Sequence, residues 1–241
     1  ILNPTFPQQE VDRLSTDRTT SLKRVKDDAN SLAARTAPAL LYGHDSPYGH
    51  PITGDEYTIQ NITRDKLSEH YLKTFDPAIA TLIAVGDISI GDLKSQAQKY
   101  FGTWPTSKEK HTPPEQPSNS LMLDSNTIYL LNKPGAAQSV IRAGHIGVAA
   151  HHPDYLALSV LNHIFGGQFT ARLNMNLRQD KGYSYGYNSS IGWSKQSSIL
   201  IAGGSVQTAV TKEAVIETLS EFRGIHHERP INTDEFLAAK S

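Results

Sequence analysis

The sequence predicts an α+β fold of helices packed on mainly antiparallel strands. Apolar residues recur at helical spacing in several segments, and short β-branched or aromatic runs stand between them. The last two such runs, residues 183–193 and 198–206, follow each other as hairpin neighbours.

Taken in order, residues 6–36 are polar and charge-rich, with Val11, Leu14, Leu22, Val25, Leu32 and Ala33 near helical spacing, which predicts two helical pieces. Residues 42–51 hold Gly and Pro too densely for periodic structure and predict a surface loop. Thr63, Arg64 and Asp65 cap a short helix through Leu67 and Tyr71. Residues 79–85, an apolar and partly β-branched run closed by Gly86 and Asp87, read as a strand buried on both faces. Ile90, Leu93, Ala97, Tyr100 and Phe101 then form one face of a helix that Gly102 ends.

Between residues 105 and 120, four prolines fall among Ser, Thr, Lys and Glu, the composition of a linker. Strands at 127–131 and 139–146 precede a helix opened by Pro153, with Leu156, Val160, Leu161 and Ile164 inward and Gly166 and Gly167 as its stop. A helix through Leu173 and Leu177 leads to Gly182, and the two strand runs follow. Val215, Ile216, Leu219 and Phe222 mark a further helix ended by Gly224, and Thr233, Asp234 and Glu235 open the last.

Composition excludes several classes of function. With 23 basic and 24 acidic residues there is no charge excess to draw nucleic acid or an anionic membrane. The absence of cysteine removes disulfides and thiolate-ligated metals, and it suits reducing and oxidising compartments alike. No apolar run is long enough to span a bilayer. The start, Ile1-Leu2-Asn3-Pro4, is neither a basic leader nor an initiator Met, and points to a piece of a longer protein with any targeting signal upstream.

Candidate chemistry narrows quickly. Lys66-Leu67-Ser68-Glu69-His70 is one residue away from H-x-x-E-H, but a lysine in the first ligand position repels a metal. The pairs His151-His152 and His226-His227 are adjacent, so their side chains diverge on a helix or strand, and His163 reads as a core histidine. No G-x-S-x-G elbow or Walker loop occurs, and Gly203-Gly204 reads as a strand-end turn or bulge. There remains the segment 173–187, in which a helix ends at Gly182 and an aromatic strand begins at once. Arg178 sits where it complements a helix dipole and bonds the last carbonyls. Tyr183, Tyr185 and Tyr187 alternate onto one strand face.

Leu161, Phe165-Gly166-Gly167, Arg172-Leu173, Leu177-Arg178 and Lys181-Gly182-Tyr183-Ser184-Tyr185 resemble, in order and spacing, the second-domain signature of pitrilysin/insulinase-type zinc peptidases. Upstream, Phe6-Pro7, Tyr42-Gly43, Pro47-Tyr48-Gly49, Gly54, Ile62-Thr63, Val85-Gly86-Asp87 and Tyr100-Phe101-Gly102 look like the later half of the preceding domain. The resemblance implies residues 1–104 as the later half of a first peptidase-like domain, a linker at 105–120, and the first part of a second domain at 121–241. Such domains face each other like a clam shell. It further implies that Arg178 and Tyr185 touch the substrate: a guanidinium suits a peptide carbonyl or carboxylate, and a phenol donates to a developing oxyanion. The peptide would add as a strand to a sheet edge.

The helix that supplies the family's third zinc ligand is similar to residues 13–23, with Ser21 where a Glu belongs, and Thr20, Lys23 or Arg24 in neighbouring registers. None replaces a carboxylate. Ala171 stands where many members have Ser. The pattern resembles the non-zinc subunit of two-chain members, which predicts no cofactor in this chain and zinc in a partner. The expected partners are a peptide or unfolded protein substrate and a zinc-bearing homologous subunit, with no nucleic acid and no membrane span. Family habit points to the bacterial periplasm. Two other readings stand beside this one: a piece of an active single-chain zinc peptidase, and a structural or peptide-binding relative without peptidase activity.

Overall fold

The computed structural model describes residues 1–106 and 126–240. In chain order the elements are α1 (Gln8–Asp27), α2 (Ala29–Tyr42), α3 (Glu56–Gln60), α4 (Arg64–Thr74), α5 (Ile90–Phe101), β1 (Gln138–Gly147), α6 (Tyr155–Asn162), α7 (Arg172–Asn174), β2 (Ser184–Trp193), β3 (Ser198–Gln207), α8 (Thr211–His226) and α9 (Thr233–Lys240). The expected α+β mixture therefore forms. Two compact units divide it: Ile1–Lys23 with Thr53–Gln116, and Arg24–Ile52 with Pro117–Ser241. Most of the expected linker lies outside the described residues.

In the first unit, local signals set the helix ends. The Thr63 hydroxyl accepts from Lys66 N–H to start α4, Ser89 does the same for Asp92 at α5, and Asp55 and Thr58 form a reciprocal capping box at α3. Tyr71 stacks on Phe75 at 4.9 Å and meets Phe6 edge-on at 6.1 Å. Residues 79–85 form no strand, contrary to the sequence reading, and Val85 is 97% exposed. A strand exists only as part of a ladder, and no described segment pairs with this one. The apolar face of α5 likewise leaves Ile90 and Tyr100 exposed.

The second unit is built on a three-stranded antiparallel sheet in the order β1-β3-β2. Register assigns two faces. Ile141, Gly204 and Tyr187 lie in one row across the strands, and Ala143, Ala202 and Ser189 in the next. This face holds the core, where Tyr187, Ala202 and Val206 pack against Phe165, Leu173, Leu177 and Ala214. Phe165 meets Phe222 of α8 at 4.7 Å. The opposite face carries Arg142, Gly203 and Asn188 in one row.

Several expectations shift here. Residues 127–131 are not a strand and expose Ile128 and Leu130 for the same reason as 79–85. Gly203 and Gly204 lie inside β3, not at its end, and Gly204 pairs with Tyr187 beside an irregularity in the β2 register. A side chain at Gly203 would collide with the Ile141 carbonyl oxygen, so glycine permits the close approach of β1. The predicted second helical piece runs on through Pro38 to Tyr42, whose hydroxyl donates to the Ser198 carbonyl at 2.9 Å. Residues 42–51 are accordingly not all surface: Tyr42, Ser46 and Gly49 are buried.

Leu156 faces solvent, 73% exposed, while α6 passes into a π-helical segment, His163–Gly167, that buries Ile164 as expected and Phe165 with it. α8 continues past Gly224 to His226. Its inward face is Ala214, Thr218 and Glu221, while Ile216 and Leu219 are exposed. Gly224 inside the helix leaves room for the Arg229 guanidinium, which lies 3.0 Å from where a Cβ would stand. Arg172 clamps the C-terminal helix: its Nε and Nη2 donate to the two carboxylate oxygens of Glu235, each at 2.7 Å. Further donations reach the Arg229 and Pro230 carbonyls.

Two stability predictions follow from these contacts. Gly203→Ala should lower the urea unfolding free energy by about 1–3 kcal/mol through overpacking. Gly186→Ala, where a Cβ would meet open space, should change it little; equal effects would contradict the packing account. The Arg172 hydrogen bond holds the Glu235 carboxyl below its usual range. A depressed carboxyl stabilises the fold above its unfolded value, about 4.3, and loses that contribution as pH falls through the folded value. Glu235→Gln should therefore cost about 1.5–3 kcal/mol at neutral pH, and its deficit against the wild type should shrink in acid; a deficit independent of pH would exclude the ion pair as its source.

Candidate functional site

The signature segment is held from both ends. α7 begins at Ala171, which caps it with no side-chain hydrogen bond, and continues as a π-helical stretch, Met175–Asp180, that carries Arg178. The helix stops at Gly182, whose φ of 64° suits glycine, with Tyr183 N–H donating back to the Leu177 carbonyl at 2.9 Å. Polar contacts fix the π-helical turn to α8. The Asn176 amide donates to Glu221 at 2.6 Å and to Glu217 at 3.1 Å, and Lys181 pairs with Glu217 at 3.0 Å. Glu221 is 1% exposed and needs these partners together with Arg229, which reaches it at 3.0 Å.

β2 begins with a bulge. Ser184 pairs with Val206 and Tyr187 with Gly204, so three steps on β2 match two on β3. The Ser184 hydroxyl fills the bulge, accepting from Gly186 N–H and donating to the Ser205 carbonyl at 2.7 Å. Tyr187 N–H donates to the buried Asn174 side chain at 3.1 Å, and the Asn174 amide donates to the Phe169 carbonyl at 2.6 Å. This arrangement corrects the expected alternation of three tyrosines on one face. Tyr187 is fully buried, its hydroxyl bonded to Thr218 at 2.7 Å and its phenol pushed up by burial, with the Thr218 bond opposing. The extra residue turns Tyr185 to the other side, where it is 91% exposed.

Arg178 does not bond the helix's last carbonyls. Its guanidinium stacks over the exposed Phe169 ring, 4.4 Å from the centroid, and neither Arg178 nor the Tyr185 hydroxyl has a hydrogen bond or ion pair among the described residues. Neighbouring polar side chains are committed, Arg172 to Glu235, Lys181 to Glu217 and Tyr187 to Thr218. Tyr185 lines a cavity of about 330 Å³ with Asn30, Arg142, Ser184, Asn188 and Ser205; Arg178 is not among its lining residues. The sequence reading missed Arg142. Its signal was a lone charge inside an otherwise uncharged strand run, 139–144.

Arg142 projects from β1 with its Nη1 donating to the Ile141 carbonyl at 3.0 Å and its Nη2 to the Asn30 side chain at 3.3 Å. Asn30 in turn bonds the Ser205 hydroxyl at 3.0 Å. Burial lowers the guanidinium's proton affinity, and no carboxylate opposes this among the described residues. The group stays charged, because a guanidinium holds its proton throughout the accessible pH range.

The donor set does not fit zinc. Ser21 donates its hydroxyl to the Asp17 carbonyl, and Thr16, Thr19 and Thr20 bond back along α1 in the same way. On α4, Lys66 donates to the Asn61 carbonyl, Glu69 is paired with Lys73 at 2.7 Å, and His70 is exposed. No three His, Asp or Glu side chains converge among the described residues. The histidine pairs differ from expectation at one place. His226 and His227 do not diverge: their rings lie 4.3 Å apart, because His227 leaves helical geometry at the end of α8. His151 and His152 are in a loop, and His163 is half-buried in its π-helical segment.

A family model described as the peptidase M16 inactive domain matches residues 61–241. YmxG of Bacillus subtilis, an uncharacterized zinc protease, is 27% identical over 226 residues, 92% of this chain and 53% of that protein. YmxG of Helicobacter pylori, a non-peptidase homolog, is 22% identical over 213 residues, 88% of this chain and 48% of that protein. The chain thus spans about half the length of these relatives. The crystal structure of the peptidase M16 inactive domain from Pseudomonas fluorescens superimposes with a TM-score of 0.86 at 24% identity, over 99% of this chain and 56% of that one. Among the described residues no helix is long and apolar enough to cross a membrane. The family match takes in the whole sheet, both π-helical segments and the bulge that displays Tyr185, and the chain belongs to the peptidase M16 inactive-domain family.

Proposed function

We propose that this chain is the substrate-handling component of a zinc metallopeptidase, and that it supplies Arg178 and Tyr185 to a zinc-bearing homologous partner. The observation that carries this reading is the uncommitted state of both side chains beside Arg172, Lys181 and Tyr187, whose polar groups are tied down. A side chain held only for packing would share the burial of Tyr187. Tyr185 instead stands off a bulge at the start of β2, the outer strand of the described sheet, and is 91% exposed.

In this role the chain binds and orients. Tyr185 donates its hydroxyl to a carbonyl oxygen that gains negative charge, and Arg178 donates to a neighbouring carbonyl or carboxylate. The test mixes the protein with a zinc-bearing homologous subunit and follows cleavage of an unstructured peptide. Tyr185→Phe should lower kcat/KM by about 10²-fold, the cost of one lost oxyanion donor, and Arg178→Ala should lower it by at least about tenfold. Turnover unchanged by both substitutions would overturn the proposal.

A second reading, a peptide-binding relative with no peptidase role, draws on one observation: Arg178 rests on Phe169 and does not line the cavity with Tyr185. It predicts peptide binding without any partner-dependent cleavage.

A further inference from the structure

Arg142 has a geometry that neither Arg178 nor Tyr185 accounts for. Register sets Arg142, Gly203 and Asn188 in one row across three strands on the face opposite the core. Because Gly203 has no side chain, the row is a trench with bare backbone as its floor and Arg142 and Asn188 as its walls. Two strand spacings make it roughly 10 Å across.

The chemistry of the trench has one sign. A guanidinium carries five N–H donors, and two hydrogen bonds, to Ile141 and Asn30, occupy part of that fork. The Tyr185 hydroxyl and the side-chain amide of Asn188 have no partner among the described residues, and no acidic side chain lines the cavity. A half-buried cation without a counter-ion is costly unless something anionic completes it. A single positive charge with a planar fork, flanked by neutral donors, matches a carboxylate in charge and shape.

We propose that this cavity is a carboxylate-binding subsite in which Arg142 grips a carboxylate of the peptide that Tyr185 contacts. The inference rests on the peptide-handling reading above and adds to it a class of substrate, peptides with an acidic side chain or a free C-terminal carboxylate at the position over Gly203. Arg142 recognises the ligand and takes no part in bond cleavage. Asn30, which holds one arm of the guanidinium, is a positioning residue.

The experiment uses the intact protein and two kinds of probe. Acetate is titrated while the Nε–H resonance of Arg142 is followed by NMR, assigned through Arg142→Gln. In parallel, affinity is measured for one unstructured peptide in four forms, with glutamate or glutamine at the centre and a free or amidated C-terminus. Acetate should shift the Arg142 resonance, and one of the two carboxylates should tighten peptide binding about tenfold, less at high salt. The form that keeps the gain identifies the source of the carboxylate.

Arg142→Gln should remove that gain and leave the fully neutral peptide's affinity unchanged. Arg142→Lys, which keeps the charge but loses the fork, should retain only part of it. A neutral peptide that binds as tightly as the acidic forms overturns the subsite and leaves peptide handling standing. So does a gain that survives Arg142→Gln. A shift with acetate but no binding of any peptide supports the anion site and overturns the peptide reading, and no response to either probe overturns both.

Discussion

The register of β2 depends on the seat of Tyr187 against Gly204. The two are cross-strand partners, and a Cβ at Gly204 would stand 2.8 Å from the tyrosine ring, so the ring occupies the space that glycine leaves. Its hydroxyl is satisfied by Thr218 of α8 and its amide by Asn174 of α7, which ties the strand to both helices at one residue. With Tyr187 committed to the core and Ser184 paired to Val206, one residue too many lies between them. The bulge is the necessary result. It sends Tyr185 to the open face, so burial of one tyrosine causes exposure of the other.

A similar economy operates on the helix side. The π-helical turn widens the helix just where Arg178 projects, and such turns are strained enough to need outside support. Support comes from α8 through Asn176, Lys181, Glu217 and Glu221. The cost is visible in two buried acceptors, Asn176 Oδ1 and Glu221 Oε2, that lack protein partners among the described residues. A buried carboxylate held by one half-exposed arginine and one amide contributes little net stability, but it specifies which turn of the helix faces α8. Gly182 then fixes the reversal into β2, and with it the distance in sequence between Arg178 and the bulge.

Local chemistry was legible in the sequence and long-range chemistry was not. Thr63 and Gly102 mark their helix ends from neighbours within a turn, and the structure has α4 and α5 there. The family signature around residues 161–185 falls on both π-helical segments and runs into the bulge, and its Phe165, Leu173 and Leu177 are core residues. Residues 79–85 and 127–131 carry strand composition, yet pairing is a property of two segments and the described residues contain no partner for either. Tyrosine alternation failed because a bulge is set by the partner strand's register, which period-two reading does not contain. Arg142 showed only as a lone charge in a strand run, for the same reason: what surrounds it, Gly203 and Asn188, lies across the sheet.

The resting contacts of the two signature side chains bear on what the site is built to bind. A cation–π stack on an exposed ring is worth about 0.5–1 kcal/mol, so Arg178 gives up little when it leaves Phe169 for a better acceptor. Tyr185 gives up no hydrogen bond at all. Both therefore approach a ligand with almost no intramolecular interaction to break, while the backbone that carries them is fixed by Tyr187, Asn174 and the α8 network. Rigid main chain with uncommitted side-chain donors is the arrangement in which donor bonds to a ligand are least offset by losses elsewhere. Tyr185 reaches a cavity whose lining holds no carboxylate, and Arg178 lies outside it on Phe169.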